Sequence, residues 1–277
     1  MTLALFALLV ALGSFAAGLL GALTGLGGGI VVVPMLTLLF GVNLRYAIGA
    51  SLVSVIATSS GAAAAYVREG YTNVRVGIFL EVATTTGALI GAALAGLIPT
   101  SALAVLFGLV LLYTAWRSFQ PKEEHITQHS HPLATKLRLD GSYPVGGRMQ
   151  RYCVQKVPLG FAVMGLAGVL SALLGIGSGV VKVLAMDRAM QLPFKVSTTT
   201  SNFMIGVTAA ASAGVYLHRG QIEPYIAFPV MLGVLAGALL GARILAVAKT
   251  VWLRRLFTVV VVVLAVQMLY KGIKGTL

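Results

Sequence analysis

Long apolar runs separated by short polar connections dominate this chain. They fall at about 3–23, 30–41, 47–66, 75–97 and 101–118, stop for a hydrophilic stretch, and resume at about 157–174, 180–193, 197–217, 224–247 and 251–270. A membrane-spanning helix needs roughly 20 apolar residues. Most runs reach that length, but 30–41 and 180–193 do not. Each short run directly follows a glycine-rich stretch: Gly25-Leu26-Gly27-Gly28-Gly29 in one case, Gly175-Ile176-Gly177-Ser178-Gly179 in the other. The pattern predicts an all-α polytopic membrane protein of about 8–10 transmembrane or re-entrant helices, broken at the glycine-rich motifs. Whether the two short arms span or re-enter is left open by the pattern.

The two glycine stretches belong to a longer repeat. At an offset of 150 residues Ser51 falls on Ser201, Thr58 on Thr208, Tyr66 on Tyr216 and Gly70 on Gly220, and Gly87-Ala88-Leu89 falls on Gly237-Ala238-Leu239. Over Leu19–Ala95, 18 of 77 pairs are identical without a gap. The chain therefore divides into a first transmembrane repeat (1–118), a cytoplasmic hydrophilic linker (119–156) and a second repeat (157–277). Charge orients it. With five crossings per repeat the second copy is inverted, and fourteen basic residues share the linker's side against four opposite, namely Arg45, Arg219, Lys271 and Lys274. Four crossings per repeat give twelve against six. Basic residues concentrate on the cytoplasmic side, which favours inverted repeats, a common transporter plan.

Composition agrees. The 277 residues are 58% hydrophobic and 10% charged, far from a soluble domain, and 33 are glycine, which lets helices approach closely in lipid. The +13 formal charge sits in short connections, where it reads as topology and headgroup contact and not as nucleic-acid binding. The single cysteine, Cys153, excludes an internal disulfide. The first apolar run lacks a basic leader and is expected to be a retained span. His125, His129 and His131 in the linker match no metal spacing, so a flexible connection is expected there and no cofactor.

The doubled motif carries the candidate chemistry. Glycine-X-glycine stretches also occur in dinucleotide sites, but those need a preceding strand, and here both flanks are membrane helix. In lipid, a helix break frees backbone groups that are tolerable only against protein or a water-filled cavity. The helix that follows directs unpaired N–H groups and a positive dipole end at that cavity, which suits an anion. Candidate binding residues are Thr24, Gly25, Gly27, Gly28 and Gly29 in the first repeat, and Gly175, Gly177, Ser178 and Gly179 in the second. Glycines that serve only helix crossing are the bland alternative. Ser51 and the run Ser197-Thr198-Thr199-Thr200-Ser201-Asn202 follow. One of these hydroxyls is expected to cap a helix, and Thr199, Thr200, Ser201 and Asn202 are neutral donors that suit a releasable oxyanion. Lys182 could attract an anion or snorkel to the surface. Glu81 is a candidate for ion coupling, although it could also snorkel. No catalytic set and no metal set is present, so no enzyme activity is expected.

At these residues the chain resembles the sulfite exporter TauE/SafE family of membrane permeases. The resemblance rests on Gly25–Gly29 with Pro34, on Gly175–Gly179, on Thr200-Ser201-Asn202, and on the Gly87/Gly91 and Gly237/Gly241 pairs. It departs from the family pattern at Ser178, Leu184 and Ala50. It implies a secondary transporter of sulfite, thiosulfate or an organosulfonate such as sulfoacetate, working outward across the cytoplasmic membrane. The expected partners are that small anion and the lipid bilayer. A coupling proton or sodium ion and a homodimer remain compatible. An anion channel and a non-transporting scaffold are the alternatives.

Overall fold

A computed structural model describes residues 3–24, 28–68, 70–119, 129–145, 148–177, 179–245 and 250–276. The N-terminal half holds α1 (Leu3–Thr24), α2 (Gly29–Leu38), α3 (Leu44–Arg68), α4 (Val74–Ala95) and α5 (Thr100–Phe119). Between the halves lie α6 (Pro132–Lys136) and a hairpin of β1 (Gly141–Val145) and β2 (Arg148–Tyr152). The C-terminal half holds α7 (Val157–Leu174), α8 (Gly179–Leu184) with a π-helical turn at Ala185–Ala189, α9 (Phe194–His218), α10 (Pro224–Leu245) and α11 (Thr250–Lys274). Among the described residues, six helices are long and apolar enough to cross a membrane: α1, α4, α5, α7, α10 and α11. Their outer faces carry Leu8, Leu12, Ile78, Val82, Phe228 and Val266, all exposed, as suits helices set in lipid. The protein is an all-α, multi-pass membrane protein.

Helices α3 and α9, 25 residues each, are long enough to span but more polar. They pack against each other and are flanked by α4, α10 and the short arms. Their polar turns therefore face protein. Small residues set the outer contacts. α7 lies so close to α4 that a methyl at Gly87 would overlap the Gly165 carbonyl, and a methyl at Gly237 of α10 would overlap Phe15 of α1.

The short arms fold back on the helices before them. In the first hairpin, Gly28 lies against Gly18 and Met35 against Gly13, while the Phe40 and Phe6 rings stand 5.9 Å apart. Helix α2 thus returns along α1. In the second, Met190 lies against Gly160 and accepts the Gln155 N–H at 3.0 Å. Helix α8 and its π turn likewise return along α7. At ten residues, α2 is about 15 Å long, half a bilayer. The hairpins open at opposite ends of the bundle. At one end Arg45 bonds the Gly96 and Ile98 carbonyls, and Arg219 bonds those of Ala92 and Ala93, beside the open end of α1–α2. At the other end His129 and Gln155 close over the open end of α7–α8, where the Gln155 N–H bonds the Met190 carbonyl.

That connection differs from the flexible linker the sequence suggests. Leu139, Tyr143, Tyr152 and Val154 are buried in one apolar cluster with Val76 and Leu80 of α4 and Val196 and Met204 of α9. Its polar residues also find partners: Asp140 Oδ1 accepts from Ser130 and from the Val154 N–H. Among the described residues, no three His, Cys, Asp or Glu side chains come together. His131 Nδ1 caps α6 by accepting the Leu133 N–H at 3.2 Å, and His125 lies outside the described residues.

Candidate functional site

Gly25, Gly27 and Ser178 lie outside the described residues, as does the side chain of Thr24, which closes α1. The remaining motif residues converge. Gly175 ends α7 at φ +66°, a left-handed conformation that turns the chain toward α8. Its carbonyl accepts from Ser51 Oγ at 2.7 Å. Gly29, at the start of α2, faces the same spot: an added Cβ would stand 3.0 Å from Ser51 Oγ and 3.2 Å from the Gly175 carbonyl. The tips of the two hairpins therefore touch inside the bundle, with Ser51 between them. Gly28 instead packs on Gly18 and Val234, and Gly177 on Ile205 and Val55.

The hydroxyl run takes a different role from the one its position suggests. The N-cap of α9 is Pro193, whose side chain makes no capping bond, so none of residues 197–202 caps it. Pro193 stands at the N-cap, where its carbonyl accepts the Ser197 N–H at 2.9 Å. The run then lies in the first turns of α9, where Thr199 Oγ1 can donate to the Tyr71 carbonyl at 3.0 Å and Ser201 Oγ to the Gly179 carbonyl at 3.4 Å. Thr200 Oγ1 accepts the Asn73 N–H at 3.0 Å, and Asn202 is half-buried. In α3, the cap is Asn43, whose Oδ1 accepts the Arg45 N–H.

Lys182 does not snorkel. It is fully buried, and Nζ donates to Thr208 Oγ1 at 2.5 Å. Side chains of a helix lean toward its N-terminus, which carries this ammonium from α8 back toward the hairpin tip. Ile205, which touches Gly177 and Gly179, lies one turn from Thr208 on α9. Thr208 donates in turn to Glu81 Oε1 at 2.6 Å, an oxygen that also accepts from Thr85 at 3.0 Å. Glu81, half-buried on α4, therefore turns inward. Its Oε2 is buried, with no hydrogen-bond partner among the described residues. The structure brings together a cation from the C-terminal half and an acid from the N-terminal half.

Two positions in these networks were not singled out from the sequence. Thr208 stood in the repeat register, yet an isolated threonine in an apolar run carries no sign of its partners. Asn73 precedes α4 as an ordinary cap, Oδ1 accepting the Val76 N–H at 3.0 Å. It also donates from Nδ2 to the Leu139 carbonyl and to Tyr152 Oη, both at 2.8 Å. Asn73 thus ties the folded connection to the hydroxyl run. Burial pushes the Tyr152 phenol up to about 12, so it stays protonated at physiological pH.

Known proteins place this architecture. A relative from Bacillus subtilis (strain 168), named probable membrane transporter protein YunE, is 28% identical over 97% of this chain and 98% of its own length. A second from the same strain, probable membrane transporter protein YdhB, is 29% identical over 85% of this chain and 89% of its own. A probable membrane transporter protein of Xylella fastidiosa (strain 9a5c) is 28% identical over 96% of each chain. No solved structure matches. The model of the family described as sulfite exporter TauE/SafE matches residues 10–268, a span that takes in both hairpins, the connection and the Lys182–Thr208–Glu81 group, and the chain belongs to that family of membrane transporters.

Proposed function

We propose that this protein is a secondary transporter that moves a small sulfur-containing anion outward across the cytoplasmic membrane. Sulfite, thiosulfate and an organosulfonate such as sulfoacetate are the candidate cargoes, in keeping with the family's description. The observation that carries the reading is the fully buried Lys182 ammonium beside the touching tips of two helical hairpins. A charge held inside the membrane is costly and marks a path for an ion. The backbone breaks at Gly29 and Gly175 add further polar groups, where the Ser51 hydroxyl bonds the Gly175 carbonyl and that of Ser201 the Gly179 carbonyl. Motion is part of the reading. Around Gly29 and Ser51 the packing has no room for an added methyl, let alone a cargo. An anion reaches the site only if the two hairpins part, first toward one end and then toward the other, as alternating access requires. Hairpins that open at opposite ends suit that scheme and an inverted-repeat origin. A channel predicts flux that does not saturate, and a scaffold predicts none.

The test is counterflow of labelled thiosulfate, sulfite and sulfoacetate in liposomes containing the purified chain. Saturable exchange of one anion, abolished in a folded Lys182→Gln variant, is the expected result. Linear flux would select the channel. No flux from any of the three would leave the scaffold.

A further inference from the structure

The Lys182–Thr208–Glu81 group holds one feature that anion binding by itself does not explain. An anion site needs the ammonium, but here that ammonium already has an acid in reach through one hydroxyl. In the 150-residue register the corresponding positions of Lys182 and Glu81 are Val32 and Met231. Val32 is fully buried, so the other half fills its place with an apolar side chain. The packing does not need these charges, and a buried ion pair is weak support for stability in any case.

Resting on the transporter reading above, we propose that Glu81, Thr208 and Lys182 form a proton-coupling switch, in which the Glu81 carboxylate and the transported anion compete for the Lys182 ammonium. With Glu81 ionised, its charge and the Thr208 bridge satisfy Lys182, and an arriving anion meets a neutral couple. When Glu81 takes a proton, the ammonium is left uncompensated and binds the anion instead. The buried, unpartnered Oε2 is the oxygen that accepts the proton, since Oε1 is already engaged by two hydroxyls. One proton and one anion thus enter the site together and leave it together, and no other group changes charge. Net direction follows the two gradients combined, so a high internal anion concentration drives export.

Among the described side chains, the other ionisable groups on the packed elements stand apart from this couple. Among the described residues α7 carries none along its length. On α9, Lys195 lies over the Tyr71 ring, Tyr216 donates to the Ala172 carbonyl and His218 ends the helix. On α3, Arg45 bonds carbonyls at the far end of the bundle, beside Tyr46. Arg75 of α4 reaches the Arg138 carbonyl. Asp187 and Arg188, in the π turn after α8, are 4.0 Å from each other.

The experiment uses the full chain in liposomes with labelled thiosulfate and sulfoacetate as probes. Thiosulfate stays ionised through the pH range used, so any pH effect belongs to the protein. Counterflow at equal pH on both sides reads anion binding, and accumulation driven by an acid exterior reads coupling. One proton bound per anion makes the wild-type half-saturation concentration rise with pH, by up to about tenfold per pH unit. Glu81→Gln, which mimics the protonated acid, is expected to exchange anion with a half-saturation that no longer varies with pH, and to lose accumulation. Lys182→Val combined with Glu81→Met, the residues of the other half, is expected to unfold at the wild-type temperature and to lose exchange. Wild-type exchange that ignores pH, or accumulation that follows sodium instead, overturns the switch and leaves the transporter. Proton-driven accumulation by Glu81→Gln also overturns it. The wild-type pH slope decides the matter even if that variant fails to fold. No counterflow of either probe, nor of sulfite, overturns both readings.

Discussion

Gly29 and Gly175 meet tip to tip: each begins or ends a broken helix, and Ser51 Oγ bonds the Gly175 carbonyl beside them. The contact joins the two halves of the chain where neither has a side chain to interpose. Gly175 is held there by its left-handed φ of +66° and by Ile48, whose carbonyl would lie 2.9 Å from an added Cβ. Gly175→Ala is therefore expected to lower stability by about 1–3 kcal/mol, from backbone strain and crowding together. Gly214→Ala is the control. That glycine lies within α9 with nothing within 4 Å of an added Cβ, and the change is expected to be neutral or to stabilise by about 0.5–1 kcal/mol. Thermal unfolding in detergent compares them, and equal effects would contradict the tip contact.

The outer helix pairs make a second prediction. Gly87→Ala drives a methyl into the Gly165 carbonyl, which is backbone and cannot rotate away. Gly237→Ala does the same at Phe15. Both are expected to lower the unfolding temperature, because close backbone approach holds such pairs in lipid. Variants that unfold like wild type would mean that α4·α7 and α1·α10 are not packed this closely.

Tyr152→Phe removes the acceptor of the Asn73 Nδ2 bond while keeping the ring. A loss of about 1 kcal/mol in docking of residues 129–156 is expected, read as faster amide exchange in β1 and β2. The phenol's raised value adds a pH signature. Since the docked form holds its proton up to about pH 12 and a free tyrosine ionises near pH 10, docking is complete below pH 10 and weakens as pH rises between those values. Tyr152→Phe is expected to lack that alkaline step.

The charged group predicts a non-additive cycle. Lys182→Val leaves the half-buried Glu81 without its cation, and Glu81→Met leaves Lys182 without its acid. Each single change is expected to cost about 3–5 kcal/mol, as for a broken buried pair, whereas the double change costs much less. Additive losses in thermal unfolding would show that Thr208 does not couple the two.

Much of this molecule can be read from letters alone. Apolar runs set the helices, because in lipid a chain must satisfy its own backbone. The register that places Gly25–Gly29 on Gly175–Gly179 marked both breaks, and the family resemblance followed from the same residues. Residues 129–156 were less legible. Tyr143, Tyr152 and Leu139 are dispersed among polar residues, with no period to reveal that all three face α4 and α9.

What the sequence by itself determined is the membrane class, the helix order and the positions of the breaks, since each depends on local composition and spacing. Only the tertiary structure decided that α2 and α8 fold back from opposite ends to touch, that the hydroxyl run bonds carbonyls and leaves the cap to Pro193, and that Lys182 and Glu81 share Thr208. The physical reason is distance along the chain. A hydrogen bond between side chains on α4, α8 and α9 depends on how three helices pack, and packing is fixed by the shapes of all their faces together.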